Sequence, residues 1–263
     1  MSFKSKLKTT AAAGLLAMVS MPASAFSIDV NFGSGLTSSQ QSVFTAAENF
    51  WESVILGYRF DAGIVDPVQI SASGVAIDGV SGTLGRAGPL SGRGIAGSYA
   101  YATTGIMEFD TADLLALESS GRLLDVIVHE MAHVLGLGTV WSLMGNLYVE
   151  GSGQYTGAHA LAAYQNECDA SATYIPVEED GGAGTAGAHW DENWACGPDA
   201  LMTGYLGGPA TVTYTSIAQF ADLGYEVIPA PSLPAVPVPG SLALMGSGLV
   251  AFAGLRRRRR KSA

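Results

Sequence analysis

The stretch His129-Glu130-Met131-Ala132-His133, followed by Val134-Leu135-Gly136, constrains this chain more than any other feature. On an α-helix, residues four apart lie one turn apart along the axis and about 40° apart in projection, so the two imidazoles share a face. They can grip one metal ion together, with Glu130 beside it as a base toward water. Leu123, Leu124, Val126, Ile127, Val128, Met131, Ala132, Val134 and Leu135 make the segment apolar nearly all round, as in a buried helix. Ser119, Ser120 and Gly121 mark its expected start and Gly136 its end, since glycine takes the left-handed cap conformation without steric cost. Burying two histidines and a glutamate in such a helix is costly without a partner such as a metal. The alternative is a core helix whose histidines are satisfied by carbonyls or water.

Catalytic zinc takes three protein ligands and leaves a fourth position open, so the pair needs a third. In the metzincin pattern another histidine stands ten residues after the first, but Thr139 occupies that position. The remaining candidates are His159, in Tyr155-Thr156-Gly157-Ala158-His159, and His189, in Gly187-Ala188-His189-Trp190-Asp191-Glu192. A different class of zinc peptidase uses a downstream glutamate, for which Glu150, Glu167, Glu178 and Glu179 are available. Met202 stands in a turn-like setting, Asp199-Ala200-Leu201-Met202-Thr203-Gly204-Tyr205.

Together, His129-Glu130-x-x-His133-x-x-Gly136, a long insertion, the His189-Trp190 pair and the Leu201-Met202-Thr203-Gly204 turn resemble the leishmanolysin-type metzincin peptidases. The resemblance covers most of residues 26–227. It implies a metzincin-like α+β zinc peptidase domain with one catalytic Zn2+, His189 as the displaced third ligand and Met202 as the methionine of the turn beneath the metal. It also implies zinc-assisted hydrolysis of protein or peptide substrates with Glu130 as general base. Tyr205 is an oxyanion candidate at best, since tyrosines near turns are usually packing residues. A rival reading from another class is a surface or biofilm-matrix adhesion module that keeps the zinc site without turnover.

The termini read as addresses. Lys4, Lys6 and Lys8 precede an apolar run over 11–19 and the small-residue site Ala23-Ser24-Ala25, so residues 1–25 are expected to be a secretory signal peptide. The domain is expected over 26–228, followed by a Pro-rich linker and sorting motif at 229–241. A short transmembrane segment is expected at 242–255, below the roughly 17 residues of a stable span, and a basic cytoplasmic tail closes the chain at 256–263. This arrangement resembles the PEP-CTERM sorting signal of Gram-negative bacteria, with Val236-Pro237-Val238-Pro239 in place of the usual motif with glutamate between the prolines. The resemblance implies an exosortase-like processing partner, a transient or retained membrane anchor, and a location at the cell surface or outside the cell.

Without both termini, four cations (Arg59, Arg86, Arg93 and Arg122) face all 23 acidic residues, a formal charge of −19. Such a body is not built for nucleic acid, whose phosphates demand cations, and it suits an exported soluble protein and cationic peptide substrates. Cys168 and Cys196, the only two cysteines, are free to pair in an exported protein. Their bridge would close the insertion and steady the segment around His189.

The body reads as one α+β domain with a twisted sheet, a backing helix and the active-site helix. Residues 26–32 alternate as a strand, and Thr37-Ser38-Ser39-Gln40 opens a helix running to about Leu56 with Phe44, Ala47, Trp51, Val54 and Ile55 inward. Strands are expected at 68–77 and 106–109, loops and turns over the glycine-rich 79–97, and little regular structure after Gly136 until a short helix near 216–223.

Overall fold

In the computed structural model, residues 26–60 and 67–230 are described. The expected signal peptide, most of the linker, the apolar segment and the basic tail lie outside them. No helix among the described residues is long and apolar enough to cross a membrane. The first half runs β1 (Ile28–Phe32), α1 (Ser38–Val54), β2 (Ile55–Tyr58), β3 (Val68–Val75), β4 (Gly85–Ile95), β5 (Tyr99–Asp110), α2 (Leu114–Ser120) and α3 (Leu123–Leu135). The second half adds β6 (Gln154–Tyr155), α4 (Ala158–Glu167), β7 (Ile175–Pro176), α5 (Tyr214–Asp222) and β8 (Tyr225–Val227). The result is the expected α+β class.

β1, β3 and β5 pair in parallel and β4 lies antiparallel to β5, giving a sheet of order β1-β3-β5-β4 with β4 at one edge. Alternation along β3 buries Val68, Ile70 and Ala72. The helices α1 and α3 pack on each other, α1 against β1 and α3 against β4 and β5. A capping box starts α1: Gln40 N donates to Thr37 Oγ1 at 3.2 Å and Thr37 N to Gln40 Oε1 at 2.9 Å. Its buried face carries Phe44, Ala47, Trp51 and Val54, and the Trp51 indole donates to Val128 O of α3 at 3.0 Å. The backing helix thus ties directly to the helix of the histidines. On the other side, a Cβ on Gly105 of β5 would lie 2.2 Å from Val134 Cγ1, so only glycine admits α3 at this distance from the sheet.

Several boundaries differ from expectation. The glycine-rich stretch is not all loop: 85–95 forms β4, the full-length partner of a β5 that reaches well beyond 106–109. Glycines replace the alternating apolar residues that announce a strand, and the ladder with β5 supplies the order instead. Pro89, which has no amide to donate, sits where the pairing register shifts. Ser119-Ser120-Gly121 does not open the histidine helix. These residues end α2, with Gly121 at φ 75° as its left-handed cap, and α3 begins at Leu123. The expected strands at 26–32 and 68–77 shorten to β1 and β3, and the backing helix stops at Val54, where Ile55 turns into β2 but stays buried. The helix expected near 216–223 is α5, and α4 stands unforeseen before it, since its buried face holds two alanines, Ala160 and Ala163, and a single large residue, Tyr164, too little to mark an apolar stripe.

An aromatic group organises the second half: Trp141 stacks on Trp190, Trp190 on Trp194, and Trp194 on Tyr164 of α4. The Cys168–Cys196 disulfide joins the end of α4 to the segment after Trp194, with Cα atoms 5.1 Å apart. Asp110, at the end of β5, accepts amide hydrogens from Ala112, Gly79, Asp78 and Ile77, and these bonds hold its carboxyl down to about 2.

Two outcomes follow for stability. Replacing both cysteines by serine should lower the unfolding free energy by about 3 kcal/mol in a urea titration, the loop-entropy value for a closure of this size. Because the folded carboxyl of Asp110 titrates below its ordinary 3.8, its stabilisation is complete above that value and lost as pH falls toward about 2. Asp110→Asn should lower the thermal midpoint at neutral pH and flatten its decline across that acidic interval.

Candidate metal centre and cleft

Helix α3 presents His129 and His133 one turn apart, and their Nε2 atoms lie 3.0 Å from each other. His189 comes from the loop between β7 and the Met202 turn, and its Nε2 is 3.0 Å from both. The Nδ1 of each ring faces a carbonyl: His129 that of Leu201 at 2.6 Å, His133 that of Leu137 at 2.8 Å, and His189 that of Thr185 at 3.0 Å. A carbonyl only accepts, so each Nδ1 carries the hydrogen and each Nε2 turns a bare lone pair inward.

Burial, reinforced by the neighbouring His189, pushes His129 down to about 3. Burial likewise lowers His133 and His189, so all three rings are neutral near pH 7. Three lone pairs facing one another at this range repel unless a cation sits among them. The spacing suits zinc, for which Zn–N distances of about 2.0–2.1 Å in a tetrahedron imply nitrogens about 3.3 Å apart.

The Glu130 carboxyl lies against the start of β4, where a Cβ on Gly85 would lie 3.0 Å from its Oε1. Any other residue at Gly85 would contend with this carboxyl for space. No hydrogen bond from a described residue reaches the Glu130 side chain, and burial pushes it up to about 8. Gly85 escaped the sequence reading because it is one of many glycines in its stretch.

The turn at Ala200 to Gly204 lies between the histidines. Leu201 O holds the His129 ring, while the fully buried Met202 accepts from Trp190 N at 2.9 Å. Thr139, at the position where the simple metzincin spacing has a histidine, donates its hydroxyl to His133 O at 2.7 Å, and Gly136 closes the helix at φ 118°. His159 stands apart: its Nε2 is 2.9 Å from Arg59 Nη1, and it lines a separate pocket of about 370 Å3. Among the glutamates weighed as third ligand, Glu167 binds the start of α5, Glu178 lies with Asp191 and Glu192, and Glu150 and Glu179 are exposed.

A cleft of about 790 Å3 opens over the histidines, walled by α3, the start of β4, the segment 181–189 and the turn 199–210. Tyr205 lies on its rim, 58% exposed. Asp78, Asp125 and Asp199 line it against one cation, Arg86, whose guanidinium pairs with Glu108 at 2.7 Å.

Residues 100–229 match the leishmanolysin family, and residues 235–260 match the PEP-CTERM protein-sorting motif. A leishmanolysin homolog from Crithidia fasciculata is 32% identical over 39% of this chain, and the chain covers 17% of that protein's length. The family match takes in the three clustered histidines, Glu130 and Met202. Over residues 100–229, just under half of the chain, the similarity is thus to the leishmanolysin family, with a PEP-CTERM sorting motif behind that region.

Proposed function

We propose that this chain is an exported zinc-dependent endopeptidase in which His129, His133 and His189 hold one zinc ion and Glu130 is the general base. The observation that carries the reading is the convergence of three Nε2 lone pairs at mutual distances of 3.0 Å, each fixed by a carbonyl behind its ring. The leishmanolysin family is a family of zinc metalloendopeptidases, which agrees with this donor set. Zinc held there by His129, His133 and His189 would supply Lewis acidity toward a scissile carbonyl and would activate water near neutral pH.

The chain's own residues do the remainder. Glu130 takes the proton of the attacking water and hands it to the leaving amine; a metal ion held beside it would favour the ionised carboxylate that burial alone disfavours. Leu201, Leu137 and Thr185 keep the rings in the ligating tautomer. The start of β4, the edge strand of the sheet among the described residues, borders the cleft and could pair with an extended polypeptide, while the carboxylates of the lining favour cationic segments. Met202 supports the turn that carries Leu201.

Export rests on the sorting-motif match, the signal-peptide pattern of residues 1–25 and the disulfide, which belongs to an oxidising compartment. In this reading an exosortase-like enzyme processes the tail at the cell surface.

Chelation should abolish cleavage of unfolded casein, and stoichiometric zinc should restore it. Glu130→Gln should lower kcat by about 10²- to 10⁴-fold with zinc content unchanged. Wild-type protein that binds one zinc yet cleaves no member of a broad peptide library would instead favour the non-catalytic surface or matrix module.

A further inference from the structure

Two of the clustered histidines ride on a buried helix, but His189 sits in a loop and needs another means of support. Its backbone is held on one side by Glu178, whose N–H donates to His189 O at 2.9 Å and whose carbonyl accepts from Gly187 N at 2.7 Å. On the other side lies Gly204 of the Met202 turn. A Cβ there would lie 2.6 Å from Thr185 Cγ2 and 3.9 Å from His189 Cγ, so the Gly204 backbone presses on the ligand loop. Thr185 is also the residue whose carbonyl orients the His189 ring.

One side chain joins these two supports. Glu192 Oε1 accepts from Gly204 N at 2.8 Å, across 12 residues of chain, and its carboxyl lies within 4.8 Å of that of Glu178, which is 4% exposed. One carboxyl thus faces both supports of the His189 loop, the Gly204 amide and the buried side chain of Glu178.

We propose that Glu192 is a positioning residue for the third ligand: by bridging Gly204 and Glu178 it clamps the His189 loop from both sides and fixes the ring toward His129 and His133. This inference rests on the reading of the three histidines as a zinc site. Glu192 touches neither the metal position nor substrate, and acts through His189.

The test uses the full-length protein, with zinc affinity from competition against a chelator and the visible spectrum of the cobalt-substituted form. Glu192→Ala should weaken zinc binding by about 10- to 100-fold, as loss of a group behind a metal ligand does, and should alter the cobalt spectrum. Glu192→Gln keeps an acceptor for Gly204 and a donor for Glu178, and should restore both to within about threefold. Should the alanine protein not fold, Glu192→Asp, one methylene short of Gly204, carries the same test and should fall between alanine and glutamine. An alanine or aspartate protein with wild-type zinc affinity and cobalt spectrum overturns the proposal while leaving the metal centre standing, as does a glutamine variant no better than alanine. Wild-type protein that binds neither metal overturns the zinc reading, and the positioning role with it.

Discussion

Three imidazole nitrogens with their lone pairs turned toward one point are an electrostatic conflict inside a folded protein, and the rest of this structure serves to hold them there. Carbonyls at Leu201, Leu137 and Thr185 each take the Nδ1 hydrogen of one ring, which leaves Nε2 bare on the inner side. Burial lowers all three rings' proton affinity, so protonation cannot relieve the conflict near neutral pH. A divalent cation placed among the three nitrogens would resolve it.

That arrangement depends on close packing at a few points. Gly105 lets α3 approach β5, the Trp51 indole anchors α1 to the carbonyl of Val128, and Gly85 leaves room for the Glu130 carboxyl beside β4. The third histidine belongs to a different part of the molecule. It is carried by a loop that the disulfide, the stacked tryptophans and the Met202 turn support in place of a helix. The centre thus joins a rigid half, built on sheet and helix, to an irregular half held by cross-links and aromatic stacking. The cleft lies at that junction, with the start of β4, the edge strand of the sheet among the described residues, along one wall.

Much of this was legible in the chain. The spacing of His129 and His133 and the apolar run around them specify a buried helix, and the Thr37–Gln40 box specifies the start of α1, because both are local patterns. His189 could be nominated but not brought into place, since 56 residues separate it from His133 and only tertiary contacts close that gap. β4 was hidden because its glycines are selected by close neighbours rather than by alternation, and α4 because its buried face has two alanines and only one large residue, Tyr164. Ser119-Ser120-Gly121 was misassigned because the same residues can end one helix or begin the next, and only Gly121's positive φ decides between them. Glu192 carries no local signal of a supporting role, which arises only where the fold sets it against Gly204 and Glu178.

In the proposed centre these three Nε2 atoms, and no carboxylate, are the protein ligands of one zinc ion. X-ray absorption at the zinc K-edge of the loaded protein reads that shell. Three imidazole nitrogens are expected at about 2.0–2.1 Å, with the remaining position filled by a light oxygen donor. A first shell with two imidazoles, or one completed by a protein carboxylate or sulfur, would contradict it.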